Sequence, residues 1–289
     1  MAANRRLDHM SDLFDLAFAR LDRAESRRGE FAASWASYID GHPWGAQLVA
    51  VAADTFEIIV KVHEPAPSVL SLAFSDWLAA LRAALDNGLY AWAVAATGQN
   101  PPPGAGKLQF PIALTAEEFR NQARRLTDLP ADIVARLERA QPYHSPYGPR
   151  SNLLYWLHEL ARVDRHRRLH LGLGRVSRHR VGVAVPHGIT VVFDEEVQPY
   201  AAITAGLVIA RFTTDAPVAP SVIQFNPGVE IAPEIAEWAG FEMNGSRPSL
   251  ERRMRMTELF MRNHLENMAY YANVVPPQGF RTIELPVAS

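Results

Sequence analysis

Basic side chains concentrate between positions 162 and 180 of the chain. Seven arginines and three histidines lie in this stretch, and Asp164 is its single acidic residue. Guanidinium groups bind phosphate through paired hydrogen bonds, and imidazole groups transfer protons near neutral pH. The stretch therefore predicts an anion or phosphate site, with Arg162, Arg167 and Arg168 as candidate phosphate-binding residues. The alternative is a solvated helix end, where the helix dipole favours cations.

One carboxylate of this stretch lies where the sequence predicts a core. On a helical wheel with about 100° per residue, Asp164 falls on the apolar face that Leu153 and Leu157 define. A carboxylate that faces a core needs a polar partner, because isolated burial is costly and raises its pKa. The residues on the opposite side of the wheel are His158, Glu159, Arg162, Arg165, His166 and His170.

Two further polar residues, Asp86 and Asn87, interrupt a long apolar segment. We expect Asp164 to find its partner in that segment or in the arginines that follow it, Arg167 and Arg168. Asp86, Asn87 and Asp164 are therefore the candidate supporting residues. They either form a structural polar network between two helices or orient the basic residues.

The elements that must position these side chains indicate an α+β protein. Apolar residues recur at helical intervals in several segments, and short β-like runs lie between positions 181 and 226. This order differs from an alternating βαβ layout. We predict a helical bundle with an N-terminal β-hairpin and an antiparallel β-meander before the last helix. The predicted helices are 7–39 (one long helix or a broken pair), 72–97, 115–140 (in two parts), 152–170 and 249–273, and the hairpin joins 47–52 to 56–63.

Domain organisation and helix ends follow from the same patterns. Residues 1–289 are interpreted as one domain, with helical parts at 7–170 and 249–274 and a strand-rich insert at 175–245. Capping residues mark the helix starts, and two glycines are expected to end the helix that carries the basic stretch. The capping residues are Thr115 with Glu118, Ser151 or Asn152, and Ser249, and the glycines are Gly172 and Gly174.

Composition excludes several classes of protein and site. The chain has 289 residues, of which 48% are hydrophobic and 21% charged, as is typical of a folded protein. Its formal net charge of -2 provides no global positive field, so any contact with nucleic acid must come from a local patch. The absence of cysteine excludes disulfides, thiolate nucleophiles and cysteine-ligated metals.

The most apolar segment, 77–96, is long enough to raise the question of a membrane span. Arg82 and Asp86 within it make insertion into lipid costly, so we interpret it as a buried core helix. No secretory signal can be read in the first residues. We expect a cytoplasmic protein with no membrane contact.

Familiar enzyme motifs are missing from the sequence. It contains no Walker loop, no dinucleotide glycine fingerprint, no Gly-x-Ser-x-Gly elbow and no His-Glu-x-x-His pair. His166 and His170 are four residues apart and His158 lies two turns earlier, a spacing that suits zinc in a hydrolase. The surrounding arginines disfavour a bound dication, so we predict no metal and no cofactor.

Four short motifs resemble those of a widespread family of uncharacterised bacterial proteins. The motifs are Leu85-Asp86-Asn87, Phe110-Pro111-Ile112, Gln141-Pro142-Tyr143 and Asp164-Arg165-His166-Arg167. The resemblance extends over roughly residues 70 to 270 and implies no activity.

A second resemblance concerns the segment from Arg165 to His170, which is similar to the Arg-x4-His motif of HEPN domains. HEPN domains are helical bundles that commonly dimerise, and many are metal-independent ribonucleases. The resemblance implies a homodimer that cleaves single-stranded RNA by attack of a 2′-hydroxyl on the adjacent phosphate. His170 would transfer the proton, Arg165 would stabilise charge on the phosphoryl oxygens and His166 would orient them.

The alternative function belongs to a different class of protein. A non-catalytic module would use the same Arg/His patch to bind an anionic ligand or a partner protein. Exposed strand edges and the proline-rich loop at 101–103 are suited to protein contacts. The sequence leaves both functions open.

Overall fold

A computed structural model describes residues 2–126, 129–166, 171–196, 202–243, 245–277 and 279. These residues form six α-helices and eight β-strands, which confirms the predicted α+β class. They belong to two compact units. The helical unit comprises Met1–Phe31, Leu72–Arg168 and Gly240–Ser289, and the strand unit comprises Ala32–Ser71 and Leu169–Ala239. The interpretation of the whole chain as one domain stays a prediction.

The helices follow the predicted order. The opening helix is continuous, and the predicted segment 115–140 is two helices that Pro130 separates. The bounds are α1 Ala2–Asp40, α2 Ser68–Thr97, α3 Ala116–Ala123, α4 Ala131–Arg139, α5 Leu153–His166 and α6 Leu250–Tyr271.

Helix α2 supplies much of the core of the helical unit. Its Trp77, Leu81 and Leu85 side chains are completely buried, as expected of a core helix. Gly88 lies against α6, because an ideal Cβ there would be 2.5 Å from Cδ2 of Leu265. Glycine costs helix propensity at this position, but it allows the two helices to approach closely.

By length and composition, α2 is also the one helix in the described part of the chain that is apolar enough to cross a membrane. Its most apolar window has a mean hydropathy of 1.3, and 56% of that window is buried inside the protein.

A buried carboxylate joins three helices of this unit. The Nε atom of Arg28 on α1 lies 3.0 and 2.9 Å from the two carboxylate oxygens of Glu258 on α6, and Trp77 on α2 donates its indole N–H to the same carboxylate at 2.9 Å. Burial raises the pKa of Glu258, and these donors oppose the rise. The network fixes the rotation of the three helices relative to one another.

The predicted capping box at the start of α3 is confirmed. Thr115 accepts a hydrogen bond from the backbone N–H of Glu118 at 3.1 Å. The Glu118 carboxylate accepts in return from the N–H of Leu114 at 2.7 Å, one residue earlier than in the usual box. The pair fixes the point at which the chain enters α3.

Helix α5 begins as predicted, and residues 167–170, where its end was predicted, lie outside the described residues. Asn152 caps it by accepting from the N–H of Leu154 at 2.8 Å. The prediction that the helix reaches position 170 and is closed by Gly172 and Gly174 is wrong for both glycines. They lie inside a strand, where Gly174 has φ 118° and an ideal Cβ would be 2.5 Å from the carbonyl oxygen of Ala232. A side chain is excluded there by the close neighbouring strand.

The strand unit contains one sheet of four strands and two pairs of strands. The four-stranded sheet has the order β1-β2-β6-β5, and the pairs are β3-β8 and β4-β7. The bounds are β1 Trp44–Ala50, β2 Thr55–Val62, β3 Leu171–His179, β4 Gly182–Ala184, β5 Val191–Glu196, β6 Val208–Thr214, β7 Gln224–Asn226 and β8 Val229–Ile235.

The predicted N-terminal hairpin is confirmed as β1 and β2, and all pairing is antiparallel. The later strands pair less locally than in a simple meander, because β3 and β4 pair with β8 and β7 across the strands between them. Phe56 on β2 packs against Phe212 on the neighbouring strand β6, and their ring centroids are 5.4 Å apart. The hairpin therefore belongs to the strand unit and not to the helical part in which the sequence placed it.

In the helical unit, side chains satisfy the backbone of the extended segment 110–114. Arg82 on α2 donates to the carbonyl of Phe110 at 2.5 Å, and Asp86, one turn later, accepts from the N–H of Phe110 at 2.8 Å. The two side chains also pair with each other at 3.2 Å. The backbone N–H and the carbonyl of one residue are thus both bound by a charged pair.

Two glutamines continue this arrangement along the segment. Gln122 on α3 accepts from the N–H of Ile112 at 3.1 Å and donates to its carbonyl at 2.7 Å. Gln141 follows α4 and is 1% exposed. It accepts from the N–H of Ala113 at 2.8 Å and donates to the carbonyls of Pro111 and Leu137 at 3.0 and 2.7 Å. Residues 110–114 are therefore held as a strand would be, but by side chains.

We expect Gln141→Leu to lower the free energy of unfolding by about 3 kcal/mol, because one buried N–H and two carbonyls lose their partner. Chemical denaturation of the variant and the unmodified protein measures the difference. Gln99→Leu, at an exposed position, is the control and should change stability by less than about 0.5 kcal/mol. Equal stability of the two variants would contradict the structural role given to Gln141.

Candidate functional site

Several of the residues singled out in the sequence line a cavity of about 550 Å³ in the helical unit. Helix α2 contributes Arg82 and Asp86, and α5 contributes His158, Asp164 and Arg165. We name this cavity the α2–α5 groove. Its remaining lining residues are Leu78, Ala79, Ala83, Gln109, Ile112, Gln122, Arg125 and Ala161.

A shallower cavity of about 410 Å³ adjoins the groove. The two share Asp86, Gln109 and Arg125, and the second adds Lys107. This basic residue lies in the loop between α2 and α3. Together, the two adjoining cavities are therefore lined by four cationic side chains.

Positive charge exceeds negative charge among the groove residues. Three guanidinium groups, of Arg82, Arg125 and Arg165, face two carboxylates across the lining. Arg82 is bound to Asp86 and to Phe110. Arg125 and Arg165 are exposed, so their guanidinium groups are the ones that can turn towards a ligand.

Helix α5 positions Arg165 at its last turn. The Nε atom of Arg165 donates to the carbonyl of Ala161 at 3.2 Å, one turn earlier. This bond keeps the stem of the side chain along the helix. The terminal nitrogens of the guanidinium remain the donors best placed for an anion.

Asp164 finds its partner on α2, one of the two places that the sequence suggested. The hydroxyl of Ser75 donates to Oδ1 of Asp164 at 2.5 Å. The bond joins α5 to α2 beside the groove. Asn87 is half-buried and does not line the groove, so Asp86 and Asp164 are the supporting residues that the structure brings together.

Burial and the charges of neighbouring arginines shift the pKa values of two groove residues, Asp86 and His158. Burial raises the pKa of Asp86, and the charge of Arg82 and the bond from Phe110 oppose the rise. Burial lowers the pKa of His158, Glu159 opposes the shift, and the positive charges of Arg82 and Arg165 lower it further. His158 is therefore neutral at neutral pH and can accept a proton.

His158 and Arg125 were missed as site residues in the sequence. His158 and Arg165 are seven residues apart, which is two helical turns, so both project from nearly the same side of α5. That spacing is a signal that could have identified His158. Arg125 follows the short helix α3, and no periodicity points to it.

The other predicted residues fall outside the groove or outside the described residues. Arg162 is exposed and pairs with Glu159 at 2.7 Å, so its charge is already compensated. The side chain of His166 and all of Arg167, Arg168 and His170 lie outside the described residues. The predicted convergence of Arg165 with His170 stays a prediction, as does the zinc alternative based on His166 and His170.

Within the described part of the chain, no group of three or more histidine, aspartate or glutamate side chains could hold a metal ion. Comparisons of the chain with protein-family models, with curated proteins and with solved structures found no match. The geometry of the groove is therefore the basis for assigning a function.

We expect the ring of His158 to titrate below pH 6.5, the ordinary value, because of its burial. Its contribution to folding stability is then complete above pH 6.5 and is lost as the pH falls below that value. Arg165→Gln should raise the titration midpoint, since one positive charge is removed. NMR titration of the ring signals measures both effects.

Arg124→Gln is the control for this titration, because Arg124 is exposed and does not line the groove. A midpoint above 6.5, or identical midpoints in the Arg165→Gln variant and the unmodified protein, would contradict the electrostatic description of the groove.

Proposed function

We propose that the protein binds a phosphate-bearing ligand in the α2–α5 groove. The observation that carries this proposal is the placement of Arg82, Arg125 and Arg165 around one cavity with a half-buried histidine. Guanidinium groups are the side chains best suited to bidentate contacts with phosphate oxygens. A cavity of about 550 Å³ lies within the usual range for small-molecule sites.

The two exposed arginines would make the main contacts with the phosphate. Arg82 would contribute mainly charge, because its guanidinium already binds Asp86 and Phe110. His158 would donate or accept one hydrogen bond as a neutral ring. Asp164 would stay bound to Ser75 and keep α5 in place.

Cleavage of RNA is the second candidate function, and the observation that favours it is the lowered pKa of His158 beside Arg165. A neutral imidazole can take the proton of a 2′-hydroxyl while the 2′ oxygen forms a bond to phosphorus and the bond to the 5′ oxygen breaks. Arg165 would stabilise the charge on the phosphoryl oxygens. The 5′ oxygen would receive a proton from a second group, for which His170 is the candidate from the sequence.

Binding can be tested by calorimetric titration with inorganic phosphate, with AMP and with the dinucleotide UpU. We expect Arg125→Gln and Arg165→Gln each to weaken binding about tenfold, the effect of losing one charge-assisted hydrogen bond. Arg124→Gln, the exposed control, should change it less than about twofold. Equal affinities for the control and the two groove variants would overturn the proposal.

Arg162→Gln is a further variant to compare in the binding titration. The residue lies on α5, but its guanidinium pairs with Glu159. An effect as large as that of Arg165→Gln would place the ligand on the exposed side of α5, as the sequence first suggested, instead of in the groove.

Cleavage can be tested by incubating end-labelled single-stranded RNA with the protein in EDTA. We expect His158→Gln to reduce the rate on the order of 100-fold, the usual share of one general acid or base, and to leave RNA binding within about threefold. His170→Ala tests the predicted proton donor in the same assay. Gel analysis of the products and fluorescence anisotropy of the RNA measure the two quantities.

The outcomes separate the two functions. Cleavage that persists in His158→Gln would remove His158 from the mechanism. An unmodified protein that binds UpU and never cleaves RNA is the non-catalytic binding module. A homodimer is part of the ribonuclease proposal alone, so light scattering that gives the 32.1 kDa mass of one chain would count against it.

A further inference from the structure

A second cavity of the helical unit, of about 340 Å³, combines aromatic rings with arginines. We name it the aromatic pocket and define it by Trp92, Arg136, Arg139, His264 and Tyr271. No residue lines both this pocket and the α2–α5 groove. The pocket is therefore a separate candidate site.

A cation lies over one aromatic wall of the pocket. The guanidinium carbon of Arg136 is 3.7 Å from the centroid of the Tyr271 ring. The ring of Tyr271 also stacks on Trp92, with an interplanar angle of 21° and centroids 6.1 Å apart. These contacts hold Arg136 flat against the wall and leave its edge for hydrogen bonds to an anion.

Positive charge in the pocket is not balanced by an acidic lining residue. Arg136 and Arg139 are its two cations, and none of its lining residues is acidic. Arg136 pairs with Asp132 on the same helix, at 3.9 Å, and the Asp132 side chain is 71% exposed. Such an exposed pair contributes little, so the charge of Arg136 is available to a ligand.

His264 contributes an aromatic ring to the lining of the pocket. The ring makes edge contacts with Phe110 and Phe260, at centroid distances of 6.0 and 4.8 Å. Burial lowers the pKa of His264 to about 4, so the ring is neutral at neutral pH. His264 therefore adds no charge to that of the two arginines.

We propose that the aromatic pocket binds a small planar aromatic ring that carries an anionic oxygen group, either a carboxylate or a phosphate. The ring packs against Trp92 and Tyr271. The anionic group pairs with Arg136 and Arg139.

Indole-3-acetate and AMP are probes for the two anionic groups, and indole-3-acetamide and adenosine are their neutral counterparts. We expect at least one of the two acids to bind at millimolar concentration or below, about tenfold more tightly than its neutral counterpart. Calorimetric titration of the full chain measures the affinities.

Substitutions of the lining residues test whether the acid binds in the aromatic pocket. Arg136→Gln and Tyr271→Ala should each weaken binding of the acid about tenfold, whereas Tyr271→Phe should retain it because the ring remains. Arg165→Gln, in the α2–α5 groove, should leave the binding of indole-3-acetate unchanged. Thermal melting of each variant checks that the fold is intact.

Three results would overturn the proposal. The first is failure of both acids to bind at millimolar concentration. The second is equal affinity for an acid and its neutral counterpart. The third is AMP binding that Arg165→Gln weakens and Arg136→Gln does not, in the absence of indole-3-acetate binding. That last result would place the nucleotide in the groove, so it would support the proposed function while removing the aromatic pocket as a site.

Discussion

The helical unit depends on hydrogen bonds from side chains to the backbone of residues 110–114. An extended segment among helices has no neighbouring strand, and each buried N–H or carbonyl without a partner costs about 1 to 3 kcal/mol. Arg82, Asp86, Gln122 and Gln141 meet this requirement from α2, from α3 and from the end of α4. Polar residues in otherwise apolar surroundings are therefore obligatory here. Three of the four short motifs described in the sequence contribute to this arrangement, which gives them a structural role.

The same requirement limits what the α2–α5 groove can offer a ligand. Arg82 and Asp86 line it, but their charged groups are also committed to Phe110 and to each other. Arg125 and Arg165 are exposed and carry no such commitment in the described contacts. A second tie, from Ser75 to Asp164, keeps the two walls of the groove together. The groove thus combines charged groups that are bound within the protein with two exposed cations, an arrangement suited to binding anions.

Local signals in the sequence predicted much of this architecture. The capping box of α3, the cap of α5 at Asn152 and the hairpin of β1 and β2 each depend on neighbouring residues, and each is found. The pairing of β3 with β8 joins residues about sixty positions apart, and Gly172 and Gly174 there imitate a helix stop. No pattern among neighbouring residues predicts that pairing.

In the candidate site, too, patterns among neighbouring residues predicted some features, whereas contacts between distant residues were not predicted. The wheel showed correctly that Asp164 faces another element, and the apolar segment with Asp86 was one of the two places expected to supply its partner. The wheel could not identify Ser75, because the packing of the whole core sets the offset between two helices. Arg125 enters the groove through the tertiary fold alone.

Phe110 has one further consequence for the helical unit. Its backbone N–H and carbonyl are bound by Asp86 and Arg82, which line the groove, and Phe110 also lines the aromatic pocket. An occupant of the groove that draws either charged side chain away from the Phe110 backbone would therefore change a wall of the aromatic pocket. Thermodynamic reciprocity then requires that filling one compartment changes the affinity of the other by the same factor. Phe110 would then couple the affinity of the groove to the affinity of the aromatic pocket.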